Sequence, residues 1–321
     1  MKRLILLIAV LVSTYSFSQE EKDNYASVAK SFETFFNEGQ YESIFNLFDN
    51  EMKAALPLDK TKEFLGSNLR QNLGKIQSMT FLKTKETAHI YKTAFENGLF
   101  DILLSLNEAN QINGLYVSQH VPDNLPTLER NITKMILPFK EEWFVFWGGE
   151  TVEQNYHVAH KNQKYAYDIL MMKDGKSYIG DSKKNENYLV FGKDIIAPCD
   201  ATVIKVIDGV NDNVPGELNP KQLTGNTIIL KTENEEFILF AHLKHNSIIV
   251  KEGENVKKGQ LMAKCGNSGN TTEPHLHLSL QNVEDMNIAE GAKLYFDKIM
   301  VNGKVVEDYI PVKGDKIKNL E

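Results

Sequence analysis

The apolar residues of this chain change their spacing once, near residue 76, and that change restricts the folds open to it. Upstream, Val28, Phe32, Phe35 and Phe36 stand at i, i+4, i+7 and i+8, one face of an amphipathic helix that Gly39 stops. A short second helix uses Ile44, Leu47 and Phe48, and a third runs from Asp59, in N-cap position, through Phe64, Leu65 and Leu69 to Gly74. Downstream, residues 76–83, 87–95, 100–106 and 112–117 are short segments rich in β-branched, aromatic and leucine residues, parted by Glu, Asn and Gly. This is the pattern of an antiparallel meander. Helices followed by strands predict an α+β amino-terminal domain over residues 19–120.

Residues 121–148 carry Pro122, Pro126 and Pro138 and end in the aromatic run Trp143 to Trp147, which reads as a linker closed by a docking strand. Beyond it, residues 165–171, 201–207, 226–231, 236–243, 260–265 and 275–280 read as strands, with Gly, Pro, Asn and Asp between them and no helical period. An all-β domain with an antiparallel, barrel-sandwich-like sheet is expected over 149–292, with residues 293–321 as an extension packed on it. Residues 208–225 hold two prolines, three glycines and little apolar content, so they form a long surface loop of the functional or mobile kind.

The amino terminus reads as an address. Lys2 and Arg3 precede an apolar run from Leu4 to Val12, and Ser16, Phe17 and Ser18 offer a cleavage site before Gln19. Ser13 and Thr14 end the run well short of the roughly 20 apolar residues a membrane span needs. A cleaved signal peptide over residues 1–18 and a secreted or periplasmic protein are expected, with no membrane span. The net charge of -7, from 36 Lys plus Arg against 43 Asp plus Glu, is opposite in sign to an electrostatic nucleic-acid binder, so no nucleic-acid partner is expected. Two cysteines, Cys199 and Cys265, make neither a disulfide framework nor a cysteine zinc site; one bridge and two buried thiols both fit.

Of eight histidines, six fall beyond residue 121, at 157, 160, 242, 245, 275 and 277. His89 and His120 have no partner at ligand spacing, and the amino-terminal module reads as non-catalytic. In the segment Glu273 to Leu280 polar and apolar residues alternate, which on a strand sends Leu276, Leu278 and Leu280 to the core and His275 and His277 together to the other face. Two imidazoles sharing one space suit a metal ligand and a proton-transfer group. The apolar run from Phe237 to Ala241 delivers His242 near its end, as a buried strand delivers a side chain to a cleft rim. Asp168 lies within the apolar segment 165–170, where a carboxylate needs a cation, either a salt-bridge partner or a metal.

In order and local wording, Asn155-Tyr156-His157, then Asp168, then Phe240-Ala241-His242-Leu243, then residues 266–270 leading into His275-Leu276-His277 resemble the lysostaphin-type, or LytM-like, zinc metallopeptidases. The likeness spans residues 149–287, and residues 196–203 and 256–260 resemble the family's scaffold strands. It implies that His157, Asp168 and His277 hold one zinc ion with a fourth position open for water, as in catalytic zinc sites. It also implies that His242 and His275 act as general base and acid or stabilise an oxyanion, and that the substrate is the peptide cross-bridges of bacterial cell-wall peptidoglycan. One departure concerns the first motif. The family's usual H-x-x-x-D is replaced by His157 and Asp168 eleven positions apart, which requires a looped-out insertion and leaves His160 as a competing ligand. The alternative function is a catalytically silent LytM-like module that binds or regulates other wall hydrolases. A likeness of residues 196–206 and 250–263 to the halves of a biotinyl or lipoyl carrier stops at the scaffold, since no acceptor lysine stands in a turn between them. The order of elements in the amino-terminal module resembles the cone-shaped, nuclear-transport-factor-like domains of unknown function.

Overall fold

The computed structural model describes residues 20–320, so the expected signal peptide lies outside the described residues. Helix α1 (Asp23–Glu38) forms where the apolar stripe was read, burying Val28, Phe32 and Phe36. It ends at Gly39, whose φ of 72° lets its N–H turn back toward the carbonyls of Phe35 and Phe36. Helix α2 (Tyr41–Asn46) buries Ile44. Helix α3 (Asn50–Ala55) was not read from the sequence; the Asp49 carboxylate caps it by accepting the Met52 N–H at 2.8 Å. The third expected helix needs correction. It begins at α4 (Leu58–Lys62), with Pro57 in the N-cap position, so Asp59 sits inside the first turn and does not cap it. Proline presets its own φ at the helix entry and offers no side-chain acceptor, so the first turn has no side-chain cap. The helix continues as a π-helical stretch (Glu63–Arg70) that buries Leu65, and finishes with α5 (Gln71–Leu73).

Four antiparallel strands follow in consecutive order: β1 (Ile76–Lys85), β2 (Ala88–Phe95), β3 (Gly98–Leu106) and β4 (Ile112–Gln119). Helical Phe32, Phe36 and Leu65 pack with Tyr91, Ile102 and Leu104 of this sheet in one core. This α+β unit ends at His120, and a second unit runs from Val121.

The second unit is dominated by one antiparallel sheet. Its strands are β5 (Trp143–Trp147), β6 (Tyr167–Leu170), β8 (Ala201–Ile207), β9 (Asn226–Lys231), β10 (Phe237–Leu243), β11 (Asn255–Val256), β13 (Leu276–Gln281), β14 (Gly291–Ala292), β15 (Phe296–Val301), β16 (Lys304–Tyr309) and β17 (Lys316–Asn319). They order as β11-β8-β9-β10-β13-β6-β5-β17-β15-β16, with β14 also paired to β13. A separate pair joins β7 (Asp194–Ile196) to β12 (Leu261–Lys264). Residues 121–148 belong to this body: Met135, Leu137, Phe139 and Trp143 are in its core, and Phe139 stacks on Trp143 at 4.3 Å between centroids. The carboxy-terminal strands β15 to β17 prolong the same sheet beyond β5. Helical structure in this unit is limited, among the described residues, to short 3₁₀ turns.

The alternation in β13 appears as read. Leu276, Leu278 and Leu280 enter the main core with Ile238 and Phe240 of β10. Leu239 and Ala241 turn to the opposite face, the one that carries the histidines. Cys199 and Cys265 are both free thiols buried in the main core, which decides between the two readings left open for them.

Candidate metal centre and catalytic cleft

Three neighbouring central strands position the site. Antiparallel pairing sets Ala241 of β10 opposite His277 of β13, and His277 opposite Asp168 of β6. Residues directly opposite on one face approach closely. Here His277 Nδ1 lies 2.9 Å from Asp168 Oδ1. His275 stands just before β13; its Nδ1 donates to the Glu273 carbonyl at 2.9 Å, which leaves Nε2 at 3.4 Å from Asp168 Oδ1. His242, near the end of β10, has φ of 60°, where the pairing with β9 slips between Phe240 and Leu243. A histidine in this left-handed conformation is uncommon and strained. The turn aims its ring inward, with Nδ1 donating to the Ser268 carbonyl at 2.8 Å and the centroid 4.9 Å from that of His275.

His157 reaches the same place from a 3₁₀ turn (Tyr156–Ala159). Asn155 caps that turn and holds the ring: its Oδ1 accepts from the His157 backbone N–H at 3.2 Å and from the ring Nδ1 at 2.8 Å. Its amide donates in turn to the carbonyls of Gly149 and Ala166. With Nδ1 donating, Nε2 carries a lone pair. That nitrogen is buried, makes no hydrogen bond, and lies 3.7 Å from Asp168 Oδ2. An orphaned imidazole nitrogen beside a carboxylate is costly unless a cation joins them. The donor set fits a metal: candidate ligand atoms of His157, Asp168 and His277 lie within 4.8 Å of one another. A nitrogen, nitrogen and oxygen set of this kind suits zinc. Atoms of His242, His275 and His277 form a second group within the same limit.

The charges follow from burial and proximity. Burial drives His157 down to about 4, against the partial opposition of Asp168. Burial, then the nearby rings of His275 and His277, push His242 well below its ordinary value. Burial alone would raise Asp168, but the imidazoles of His275 and His277 overcome it and hold the carboxyl well below the usual range. For His275, burial is outweighed by the Asp168 carboxylate, and the net shift is upward. The metal-free centre is one ionised carboxylate among imidazoles, with His157 and His242 neutral at pH 7.

Of the five residues expected to form the site, Asp168, His242, His275 and His277 line one cleft, and His157 lies fully buried against Asp168 and His277; His160 is placed differently. His160 is exposed on the cleft wall and belongs to neither ligand group. The insertion between His157 and Asp168 is taken up by a second 3₁₀ turn (Lys161–Gln163) and by Tyr165, with φ of 66°. The cleft measures about 400 Å³. Phe146, Trp147 and Tyr156 line it, as do Leu218, Leu223 and Thr224 from loop 208–225. That loop is anchored: the Asn213 amide donates to the carbonyls of Gly269 and Thr271, and the Asn267 N–H donates to Asp212 Oδ1 at 2.7 Å. Asn155 and Ser268 had no role assigned from sequence. An Asn two residues ahead of a candidate ligand is a signal for the first, while the carbonyl of Ser268 has no side-chain signature at all.

Sheet and cleft together bring histidines and one carboxylate to one face of an antiparallel sheet, a donor set that can hold a metal ion beside a substrate-sized cleft. Residues 188–289 match the model of peptidase family M23, and residues 29–115 match that of a protein of unknown function, DUF3887. The chain therefore carries an M23 peptidase domain behind a module of unknown function. The M23 match takes in His242, His275 and His277 and begins after His157 and Asp168. The chain is 33% identical over 86 residues to the peptidoglycan DD-endopeptidase ShyC of Vibrio cholerae, covering 27% of this chain and 18% of that protein. It is 35% identical over 86 residues to an uncharacterized metalloprotease of Haemophilus influenzae, covering 27% of this chain and 15% of that one. It thus spans less than a fifth of the length of either relative. The solved catalytic domain of the antimicrobial peptidase lysostaphin from Staphylococcus simulans aligns at 18% identity and a TM-score of 0.27, over 47% of this chain and 88% of that one.

Proposed function

We propose that the protein is a secreted zinc metalloendopeptidase that hydrolyses the peptide cross-bridges of bacterial cell-wall peptidoglycan. The observation that carries this reading is the buried, unpartnered Nε2 of His157, facing Asp168 across from His277 in an open cleft. The M23 domain supports peptide-bond hydrolysis, and the relative named as a peptidoglycan endopeptidase supports the wall as substrate. Export rests on residues 1–18; among the described residues no helix is long and apolar enough to cross a membrane.

His157, Asp168 and His277 would hold the ion, with Asn155 fixing the tautomer of His157. Zinc held there supplies Lewis-acid polarisation of a carbonyl and makes water acidic enough to react near neutral pH. His242 and His275 each donate through Nδ1 to a backbone carbonyl, so each presents Nε2 to the cleft. At those atoms a proton removed from the attacking water is held and passed on. Water oxygen adds to the carbonyl carbon, the C–N bond breaks, and the leaving amine takes the proton.

The test is metal analysis of the purified protein together with hydrolysis of isolated peptidoglycan. One tightly bound zinc per chain, with turnover lost to a chelator and restored by zinc, is the expected result. Absence of metal at neutral pH without chelator, with no peptide released, overturns the enzyme reading and leaves the silent module.

A further inference from the structure

Among the described residues the cleft carries two carboxylates, Asp168 and Glu273, and no lysine or arginine lines it. Asp168 is occupied by three imidazoles. Glu273 is half-buried and has a single side-chain partner: Ser177 Oγ donates to Oε2 at 2.9 Å. Its Oε1 makes no hydrogen bond or ion pair among the described residues. The backbone at this position is rigidly held, since the Glu273 carbonyl accepts both from Thr271 Oγ1 at 2.9 Å and from His275 Nδ1 at 2.9 Å, and Pro274 follows. The carboxylate is thus set on the cleft wall by the same residue whose carbonyl orients His275. A partly desolvated, pre-positioned anion without a lysine or arginine partner attracts a cation more strongly than a solvated surface carboxylate does.

We propose that Glu273 is a specificity-determining residue that binds an ammonium group of the peptide substrate next to the bond being cut. The inference rests on the peptidase reading and narrows it: the preferred substrate is a peptide bearing a free amine, on a side chain or at an α-amino terminus. Ser177 Oγ orients one oxygen of the carboxylate, and the substrate ammonium takes the other. A charged hydrogen bond of this kind corresponds to a preference of about tenfold or more over a neutral substrate. Because the cleft is open, the preference shrinks as ionic strength rises.

The experiment uses the zinc-loaded full chain and four alanine-rich peptides, each containing one lysine, with the ε-amine and the α-amine independently free or acetylated. Binding is read by titration calorimetry and hydrolysis by mass spectrometry. The parent should bind one of the free-amine peptides about tenfold more tightly than the doubly acetylated one at low salt, and the comparison between the singly acetylated pair identifies which amine is read. Glu273→Gln should erase the preference while leaving affinity for the doubly acetylated peptide unchanged, and Glu273→Asp should retain part of it. Equal binding of all four peptides by the parent, or a preference that survives in Glu273→Gln, overturns the proposal. Preference in binding without cleavage of any peptide or of wall material sustains the amine site and counts against the peptidase. Cleavage without preference does the reverse.

Discussion

Asn155 grips His157 at both its backbone and its ring, and the geometry of the proposed ligand set depends on that grip. Asn155→Ala should weaken zinc binding about 10- to 100-fold, the usual cost of losing a partner that orients a ligand, with the fold intact by circular dichroism. His157→Ala, Asp168→Ala and His277→Ala should lose zinc and activity together, whereas His242→Ala and His275→Ala should keep zinc and lose about 10²- to 10⁴-fold in rate. His160→Ala should keep its zinc; loss of metal from that variant would show that the exposed ring is the ligand. The titrations of the metal-free protein have a definite sign. His157 and His242 have folded values below the ordinary 6.5, so the unfolded chain takes up protons first as pH falls. Stability is unaffected by these two groups above pH 6.5 and declines from there toward about pH 4, where His157 itself titrates. His275 is shifted upward, so its contribution is already complete below pH 6.5 and does not offset the decline. The melting temperature of the metal-free protein should therefore drop between pH 6.5 and 4, and His157→Ala should flatten the slope. Cys199, pushed up to about 12 by burial and then by Glu236 and Asp200, and Cys265, also raised by burial, should not react with a thiol reagent at pH 8 until denaturant is added.

At the scale of elements, β10, β13 and β6 act as one device, because their register decides which side chains share a face. A slip of one residue in β13 would send His277 into the core and Leu278 into the cleft. That alternation was legible as polar and apolar letters, and the strands came out close to their expected positions. What was not legible was local and conformational. The slip at His242, the cap by Asp49 and the π-helical stretch leave no periodic trace, since each depends on one backbone angle or one hydrogen bond. Loop 208–225 was expected from its length and polarity, but its fastening was not. Gly269, at φ of 89°, lies so close that an added Cβ would meet the Gly225 nitrogen at 2.4 Å and the Gln222 carbonyl oxygen at 2.6 Å. Both are backbone atoms that cannot swing aside. Gly269→Ala should cost about 2 kcal/mol or more and disturb the wall formed by Leu218 and Leu223, read as a lower melting temperature and weaker peptide binding.

For the whole molecule, each unit has its own core, and every side chain lining the cleft comes from the second one. A chain beginning at Val121 should therefore bind zinc and cleave a soluble wall peptide as the full chain does. Loss of hydrolysis in a well-folded shortened chain would show that the amino-terminal module takes part in the reaction.

The order of helices and strands, the all-β character of the second unit and the shared face of His275 and His277 were determined by the sequence, because periodicity and short motifs are properties of neighbouring residues; that Asp168 and His242 join that pair was implied by the family likeness. Which of His157 and His160 lies buried beside Asp168 was set by the tertiary structure alone, since eleven intervening positions allow either ring to return there. Only packing tells which one is buried and tied to Asn155. It alone left the two thiols unbridged, brought residues 121–148 and the carboxy-terminal strands into one sheet with the site, and left Glu273 without a lysine or arginine partner. Each of these is a long-range pairing, fixed by which surfaces close on one another and not by spacing along the chain.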